Sequence, residues 1–538
     1  MAGQSKKWMI LVATIWIQAF TGTNFDFSAY SSDLKSVLGI SQVQLNYLAV
    51  ASDLGKLFGW SSGLALMYFP LWVVLFMAAF MGFVGYGLQW LVIRSTISMP
   101  YILVFLLCLL AGCSICWFNT VCFVLCIKNF SANRPLALSL TIAFNGVSAA
   151  LYTLAGNAID SSSNAIYLLL NAFIPLIASI AALIPILRQP SLDPLSPDGI
   201  SRDSIIFLIL NFLSILTGIY ILLFSSSSYD GTRALLLFGG AIFLLIFPLC
   251  IPGIVYARDW FHRTIHSSFR LHGSGFMLVD VEDLELHKEL LSRESSYHEI
   301  RDETVDVNTG QKSSGEKDGC CDTMVKKDQL AMLGEEHPAW LLQQFRPNSR
   351  VTRTKFKHYN SCNSLFIFLL FFGRLLSAAP DYIRAKVYFA RTGWLAIGLV
   401  PTPIAFFLLV ASGNGVALHI GTALVGLSSG FIFAAAVSIT SELFGPNSIG
   451  VNHNILITNI PIGSLVYGVL AAVVYDSNVS SSLNTITDSA VCMGRKCYHL
   501  TFLWWGCLSV LGLTSSLLLF LRTRHAYDQF EAKRISTT

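Results

Sequence analysis

Thirteen stretches of mainly apolar residues recur along the chain, each near the roughly 20 residues that a helix needs to cross a bilayer. They are Trp8–Ala29, Leu45–Leu66, Leu71–Ile93, Ile102–Ile127, Leu136–Asn157, Ile166–Leu187, Ile205–Phe224, Ala234–Tyr256, Cys362–Ala379, Trp394–Ala411, Val416–Thr440, Ile455–Val474 and Leu500–Leu521. Only 12% of the residues are charged, against roughly 25% in soluble domains. The sequence therefore predicts an all-α membrane protein with about thirteen transmembrane helices.

Basic residues lie mainly in loops that the positive-inside rule assigns to the cytosol. Lys6 and Lys7 precede the first stretch, and Arg522 and Arg524 follow the last, so both termini are predicted to be cytosolic. A long polar loop, rich in Ser, Glu, Asp and Lys, is predicted to be cytosolic and largely disordered. The predicted organisation is a six-helix half at 1–190, two linking helices at 191–257, the loop at 258–360, a second half at 361–524 and a tail at 525–538.

One predicted outside loop, Tyr475–Tyr498, carries two further signals. Asn478 begins an Asn-Val-Ser sequon, which is a candidate glycosylation site. Cys492 and Cys497 lie in the same polar loop and are candidates for a disulfide if the loop is extracytosolic.

Charged residues recur inside the apolar stretches of both halves. Asp53 and Lys56 lie one turn apart in the second stretch, and Arg374 follows Gly373 as Lys56 follows Gly55. Charge inside a bilayer is costly and is usually kept for function, and its recurrence in two halves is typical of transporters built from repeats. We interpret Asp53, Lys56 and Arg374 as a charged clamp with a gating or structural role; direct contact with a substrate is the alternative.

Three further sets of polar residues are candidates for binding a substrate or coupling ion. Asp26, flanked by Asn24 and Tyr30, is either a proton- or cation-binding carboxylate or a hydrated group at the outer mouth. The other two sets repeat at helical spacing, so each occupies one helix face that lines a cavity or bonds a neighbouring helix. They are Asn145, Ser148 and Tyr152 in the fifth stretch, and Asn459 and Tyr467, beside Gly463 and Ser464, in the twelfth.

No motif for a cofactor, metal ion or nucleic acid is apparent. Five of the twelve cysteines, from Cys108 to Cys126, lie in one apolar stretch, where packing is a better explanation than metal binding. The glycines of Gly426–Gly430 lack the strand–turn–helix context of a nucleotide-binding loop. A net charge of only +4 does not indicate nucleic-acid binding. No pair of residues has the spacing of a catalytic nucleophile and base, so the sequence does not indicate an enzyme.

Two N-terminal stretches, Gly22–Lys35 and Ala51–Trp60, resemble the plant nodulin-like branch of the major facilitator superfamily, which includes nuclear-fusion-defective-like proteins. Ser441–Gly445 and Asn459–Ser464 resemble the C-terminal half of the same family. The resemblance covers nearly the whole chain and implies two six-helix halves, a central cavity and alternating access. It also implies a distant similarity to oxalate/formate-type and monocarboxylate transporters, but it does not fix a substrate.

The stretch from Gln343 to about Leu370 departs from the family pattern. The family places another helix before the segment equivalent to Phe371–Arg374, whereas this chain has a basic run without helical or strand period. Back-translation with a one-base shift converts part of that run into the family's loop, which suggests a splice variant or reading error that has lost one helix; true divergence is the alternative. A lost helix would restore the cytosolic side of Arg384 and Arg391 and would leave Cys362–Ala379 without a partner.

The sequence thus predicts a secondary transporter for a small polar or anionic solute, with proton coupling as an open option. A transport-inactive scaffold, sensor or non-functional splice variant is the alternative. The expected partners are the solute, protons and the lipid bilayer, and the oligomeric state is not predicted. The membrane is either the plasma membrane or a vacuolar or other endomembrane.

Overall fold

In the computed structural model the chain is almost entirely helical. The structure describes residues 2–160, 163–188, 197–225, 231–265, 269–272, 275–278, 353–384, 388–412, 414–480 and 498–537. The N-terminal part comprises α1 (Ala2–Thr21), α2 (Phe27–Leu38), α3 (Gln42–Gly55), α4 (Trp60–Tyr68), α5 (Leu71–Ile93), α6 (Tyr101–Asn129), α7 (Arg134–Gly146), α8 (Ser148–Ile159) and α9 (Ala165–Leu187). It also contains the 3-10 turns Thr23–Asp26 and Lys56–Phe58.

The remaining elements form the linking region and the second half. The linking helices are α10 (Pro197–Ser225), α11 (Gly231–Ile246) and α12 (Cys250–Ile265), with a 3-10 turn at Phe247–Leu249. A short antiparallel hairpin follows, β1 (Phe269–His272) and β2 (Gly275–Leu278), in which Phe269 pairs with Leu278. The second half comprises α13 (Arg353–Leu376), α14 (Ala379–Ile383), α15 (Arg391–Leu399), α16 (Pro401–Ala411), α17 (Gly415–Leu443), α18 (Ile449–Ile457), α19 (Asn459–Ser480) and α20 (His499–Thr537).

Several predicted helices are broken inside the bundle. Ten described segments are long and apolar enough to cross a membrane, or eleven when the pair α7–α8, bent by 41°, counts as one. The predicted number was about thirteen. The difference lies in Ala2–Thr21, which begins with polar residues, and in Leu45–Leu66, which divides into α3, a 3-10 turn and α4. The all-α prediction is confirmed apart from the short hairpin.

Glycines bring equivalent helices into backbone contact in both halves. A Cβ on Gly55 would lie 2.1 Å from the carbonyl oxygen of Leu109 on α6, and one on Gly373 would lie 2.1 Å from that of Leu427 on α17. In the reverse direction, Gly112 faces the carbonyl of Ser52, and Gly430 faces that of Leu370. Ser52 precedes Gly55 by three residues, just as Leu370 precedes Gly373. The α3–α6 and α13–α17 contacts therefore repeat each other residue for residue, and Lys56 and Arg374 occupy equivalent positions.

Two hydrogen bonds fix the direction of the linking helices relative to α1. Trp16 Nε1 donates to the carbonyl of Leu245 at 2.7 Å, and Ser5 Oγ donates to that of Pro252 at 2.9 Å, so α11 and α12 run antiparallel to α1. Because α12 continues beyond Pro252, it ends on the side of the bundle where Lys7 lies. That side is called the Lys7 face below, and the opposite side is called the far face.

A buried ion pair joins α10 to α1 at the Lys7 face. Lys7 Nζ lies 2.5 Å from Asp203 Oδ2, and the same ammonium lies 5.6 Å from the ring centroids of Trp8 and Phe130. The rings of Trp8 and Phe130 both pack against Phe207 of α10. The linking helices are therefore fastened to the first half by charge as well as by apolar packing.

Helix α13 runs from the far face toward the Lys7 face. Asn211 Nδ2 of α10 donates to the hydroxyl of Tyr382 at 2.7 Å, and Gly218, two turns farther along α10, packs against the ring of Phe371. Because α10 starts on the Lys7 face, Phe371 lies nearer the far face than Tyr382 does. The end of α12 thus lies on the Lys7 face, whereas the start of α13 lies on the far face.

The start of α13 corrects the interpretation of the basic run. Residues 353–360 are helical, whereas the sequence showed no helical period there; residues 343–352 lie outside the described part. A helix nucleated in the apolar core of the segment extends at little cost per added residue, which explains the continuation. On the side that faces α17, Phe366, Leu370 and Gly373 are in close contact with that helix; the expected absence of another partner helix stays a prediction.

Candidate functional site

The charged clamp of the first half reaches into the second half. Lys56 Nζ lies 3.0 Å from Asp53 Oδ1, and Lys56 is only 3% exposed. Ser464 Oγ of α19 donates a hydrogen bond to Asp53 Oδ2 at 3.1 Å. One oxygen of the carboxylate therefore holds the lysine of its own half, and the other holds the opposite half.

The clamp of the second half makes the reciprocal contact. Arg374, also 3% exposed, donates from Nη1 to the carbonyl of Ile142 at 3.1 Å and to Asn145 Oδ1 at 3.2 Å. Its guanidinium also lies 5.0 Å from the ring of Phe433, where a cation is attracted by the aromatic face. Arg374 of one half thus binds α7 of the other.

Each cation lies beside a broken helix of the opposite half. The 3-10 turn that contains Lys56 packs against α18 and α19, which meet at Thr458. Arg374 packs against α7 just before the break at Val147. Broken helices at mid-membrane are tolerated where they line a cavity, and they recur at the binding sites of transporters. We call the contact surface between α3, α4, α6 and α7 on one side and α13, α18 and α19 on the other the seam.

The polar face predicted on α7–α8 divides at the break. Asn145 turns toward Arg374 across the seam, whereas Ser148 lies against Gly22, where an added Cβ would come within 2.7 Å of it. The hydroxyl of Tyr152 donates to the carbonyl of Phe20 at 2.8 Å. Of the three predicted residues, only Asn145 therefore lies at the seam; Ser148 packs against Gly22, and Tyr152 joins α8 to the end of α1.

Asn459 and Tyr467, the two candidates on α19, also lie in different surroundings. Asn459 begins α19 at the break and is buried, and its Nδ2 has no partner in the described part of the chain. Tyr467 lies two turns farther along, and its ring packs 5.7 Å from that of Trp505 on α20. Asn459 therefore belongs with the broken helix at the seam, whereas Tyr467 packs inside the second half.

Asp26 lies in a buried polar pocket of the first half. It ends the 3-10 turn after α1, is 3% exposed and lies beside the amide of Asn171 on α9. The hydrated-mouth alternative is therefore wrong for this geometry. Tyr30 is buried near the carboxyl, whereas Asn24 is partly exposed. Within the described residues, Asp26 Oδ2 and both polar atoms of Asn171 have no hydrogen-bond partner.

Tyr86 of α5 completes this pocket and was missed by sequence reasoning. The hydroxyl of Tyr86 lies 2.7 Å from Thr23 Oγ1, and Tyr86 is close enough to Asp26 for an electrostatic interaction. Gln89 is buried one turn away, with Nε2 donating to the carbonyl of Gly85. Lone polar residues in otherwise apolar helices were the available signal, because such residues are costly in a bilayer and are usually retained for function.

A second missed group holds the seam near the Lys7 face. Asn454 Nδ2 of α18 donates to Thr120 Oγ1 at 2.7 Å and to Ser62 Oγ at 3.2 Å, and the two hydroxyls lie 2.7 Å apart. Next to them, a Cβ on Gly63 would lie 2.5 Å from the backbone of Gly450. These contacts join the two halves without charge, so they close the seam at this end.

An ionic cluster covers the Lys7 face of the second half. Both terminal nitrogens of Arg391 bind Asp381, at 2.5 and 3.1 Å, and its Nε binds Glu442 at 3.0 Å. Tyr527 of α20 donates to the other oxygen of Glu442 at 2.9 Å. A neighbouring ion pair joins Arg384 to Glu531. The cluster ties α14 and the start of α15 to the ends of α17 and α20.

The remaining candidates are partly outside the described residues. Asn478 lies near the end of α19, which continues to Ser480, so the sequon begins in a helix and not in the predicted loop. Cys492 and Cys497 lie outside the described part. The cysteines of α6 are buried and form no disulfide, and the described residues contain no group of three potential metal ligands.

Comparison with known families divides the chain into two matched regions. Residues 7–253 match the family described as Nodulin-like, and residues 350–529 match the NFD4 C-terminal domain. The first region contains Asp26 and the Asp53–Lys56 pair, and the second contains Arg374, His453 and Ser464. Both sides of the seam thus belong to matched domains.

Individual proteins give the same assignment. The chain is 53% identical to Protein NUCLEAR FUSION DEFECTIVE 4 of Arabidopsis thaliana over 563 positions, which cover 100% of this chain and 92% of that protein. It is 29% identical to the probable transporter mch1 of Emericella nidulans over 23% of this chain and 20% of that one. It is 33% identical to the probable transporter MCH1 of Yarrowia lipolytica over 18% and 21%.

The fold is similar to that of a solved transporter. The structure of the proton:xylose symporter XylE, of the major facilitator superfamily, matches with a TM-score of 0.52 over 96% of this chain and 95% of that chain. At 13% identity this likeness concerns the fold alone. Together with the domain matches and the Arabidopsis relative, it places the chain in a family: the protein belongs to the plant nodulin-like branch of the major facilitator superfamily.

Proposed function

We propose that this protein is a secondary transporter that moves a small polar or anionic solute by alternating access. The observation that carries the proposal is the reciprocal clamp: Ser464 binds Asp53, and Arg374 binds Asn145, each across the seam. Each of these hydrogen bonds is weak enough to break. A buried polar group that loses its partner is costly, however, unless it finds a new partner when the halves move. The two hydrogen bonds are therefore suited to stabilising one of the two conformations that alternate during transport.

The solute preference follows from the donors at the seam. Lys56 and Arg374 are buried cations, and the amides of Asn145 and Asn459 each have an Nδ2 without a partner among the described residues. Asn145 Oδ1 accepts from Arg374, which turns the Nδ2 of the same amide away from the guanidinium. A solute that accepts hydrogen bonds, such as a carboxylate or a polyol, satisfies these donors.

Asp26 is the proposed proton-coupling residue. A carboxylate in a bilayer without a cation beside it is costly, whereas the protonated acid donates a hydrogen bond and carries no charge. The neighbouring Asn171 supplies an acceptor, and the tyrosine hydroxyls of the pocket supply donors when the proton leaves. The amino terminus, the long loop and the Lys7 face are cytosolic in this proposal, in the plasma membrane or an endomembrane.

The experiment is uptake into proteoliposomes with radiolabelled formate, lactate, oxalate and xylose, with and without an inward proton gradient. Uptake of at least one solute above empty liposomes is the expected result. Asp53→Asn is expected to reduce that uptake, and Asp33→Asn, a carboxylate change on the partly exposed part of α2, serves as the matched control. Absence of uptake for the whole panel in correctly folded protein would contradict the proposal.

A second candidate function is a transport-inactive variant, and one observation favours it. Helix α12 ends on the Lys7 face and α13 begins at the far face, so the two helix ends that residues 266–352 connect lie on opposite faces. Residues 266–352 contain no apolar stretch of the roughly 20 residues that a crossing needs. The alignment with the Arabidopsis relative also spans 563 positions against 538 residues here, so at least 25 of its positions are gaps in this chain.

These facts support the loss of one helix from the second half. Sequencing of transcripts across residues 340–370, and comparison of membrane yield with a version that carries the relative's intervening segment, test it. A higher yield and restored uptake in the longer version support the inactive-variant reading. A single transcript together with full activity of the present chain would show true divergence.

A further inference from the structure

His453 is a buried titratable group that the proposed transport function does not use. It lies on α18 next to Asn454, and it is 2% exposed. Its ring lies between two phenylalanines, 5.3 Å from Phe123 of the first half and 6.1 Å from Phe433 of the second. Within the described residues, neither ring nitrogen has a hydrogen-bond partner. The imidazole therefore loses its hydrogen bonds when the halves close around it.

The surroundings resist a positive charge on this ring. Helix α18 packs against α4, α6, α17, α19 and the 3-10 turn Lys56–Phe58. Lys56 is the cation of that turn, and Arg374 covers Phe433, the ring that His453 contacts. Asp53, the carboxylate that precedes this turn, already binds Lys56, and among the described residues no carboxylate hydrogen-bonds to either ring nitrogen of His453. A proton on the ring would thus be neither hydrated nor paired while the seam is closed.

We propose that His453 is a proton-binding site, separate from Asp26, whose protonation opens the seam at the Lys7 face. Opening withdraws Phe123 from the ring and gives both nitrogens access to water, so the open seam binds a proton more tightly than the closed one. By thermodynamic reciprocity, a proton then favours the open seam. Acid therefore shifts the equilibrium toward opening, and alkaline conditions shift it toward closure. The proposal rests on the proposed alternating access.

A distance measurement tests this without a transported solute. Spin labels are placed on cysteines introduced by Met67→Cys at the end of α4 and Asn447→Cys before α18, both exposed near the Lys7 face, in a background without other cysteines. The protein is held in lipid nanodiscs at about pH 7.5 and about pH 5.5, values that bracket the titration of a hydrated imidazole. Dipolar spectroscopy then gives the fraction of molecules with a long label-to-label distance.

The ratio of long- to short-distance molecules is expected to rise in acid, by at most about tenfold per pH unit. His453→Gln, which keeps a polar side chain but cannot bind a proton, is expected to abolish the rise. His419→Gln, near the start of α17 at the far face, is expected to retain it. An unchanged distance in the parent protein, or an equal rise in His453→Gln, would overturn the proposal. If the response is present but no solute is transported, the proposed function fails and the proton site at His453 stands.

Discussion

Arg374 of the second half donates to Asn145 of the first at 3.2 Å, and its counterpart in the repeat, the turn of Lys56, is held to the second half through Asp53 and Ser464. The two cations are related by the same internal repeat that relates Gly55 to Gly373. Arg374 contacts the opposite half directly, whereas Lys56 is linked to it through Asp53, whose second oxygen accepts from Ser464, so both contacts resist separation of the halves.

Removal of one member of the Asp53–Lys56 pair is expected to leave the other buried without its partner. An unpaired buried charge costs about 3–5 kcal/mol, and Lys56→Ala and Asp53→Asn should therefore impair transport more than membrane expression. Asp53→Asn combined with Lys56→Ala should recover part of the loss, because no charge remains. Uptake rate and thermal stability of the four proteins form the measurement; additive losses in the double variant would show that the pair does not interact.

The close helix contacts at Gly55 and Gly373 predict a difference between glycines. Alanine at either position places a Cβ 2.1 Å from a backbone oxygen, so Gly55→Ala and Gly373→Ala should each cost about 1–3 kcal/mol in folding stability. Gly239→Ala on α11 is the matched control, since its added Cβ meets nothing within 4 Å. Thermal unfolding in detergent measures all three. Equal melting temperatures would contradict the repeated close contact.

Asp26→Asn is expected to abolish proton coupling without abolishing solute translocation. The amide cannot release a proton, so uphill accumulation driven by a proton gradient should be lost, whereas exchange of labelled for unlabelled solute should continue. The measurement compares the two modes in the same proteoliposomes, with Asp33→Asn as control. Accumulation that persists in Asp26→Asn would place the coupling proton elsewhere.

The ion pair between Lys7 and Asp203 predicts how the linking helices are attached. Lys7→Met leaves Asp203 buried without its cation and should destabilise the protein by about 3–5 kcal/mol. Adding Asp203→Leu should restore most of that stability, because the surrounding rings of Trp8, Phe130 and Phe207 accept an apolar side chain. Proteolysis rates report on the attachment of α10. A double variant as unstable as the single one would show that the charge pair is not what fastens the helix.

The sequence was sufficient for the fold class and for the repeated charges. Long apolar runs determine a helical bundle in a bilayer, and a charge that recurs after glycine in two apolar helices marks an internal repeat, so Lys56 and Arg374 were identified correctly as equivalent. The breaks within helices could not be predicted from the sequence, because a long apolar stretch predicts one transmembrane span whether the helix is straight or bent. The break at Val147 turned Ser148 and Tyr152 away from the seam, although their spacing placed them with Asn145.

One sequence could not predict which residues contact Asp26 or which residues contact each other across the seam. Asn171 of α9 and Tyr86 of α5 lie far along the chain from Asp26, and only the packing of these helices brings them near its carboxyl. In the same way, His453 and Asn454 lie in a short, weakly patterned helix, and their importance depends on contacts with Phe123 and Thr120 from far along the chain. Non-local contacts of this kind leave no periodic signal.

Parting of the seam is the central claim, and a reversible cross-link between its two sides tests it most directly. Ser62→Cys and Asn454→Cys place thiols where the native side chains lie 3.2 Å apart, and oxidation or a short bifunctional reagent joins them. With a solute from the uptake panel, joining the thiols should lower transport at least about tenfold, equivalent to about 1.4 kcal/mol, and reduction should restore it. Each single-cysteine protein should be indifferent to both treatments. Transport by the joined protein at the rate of the reduced one would contradict the account.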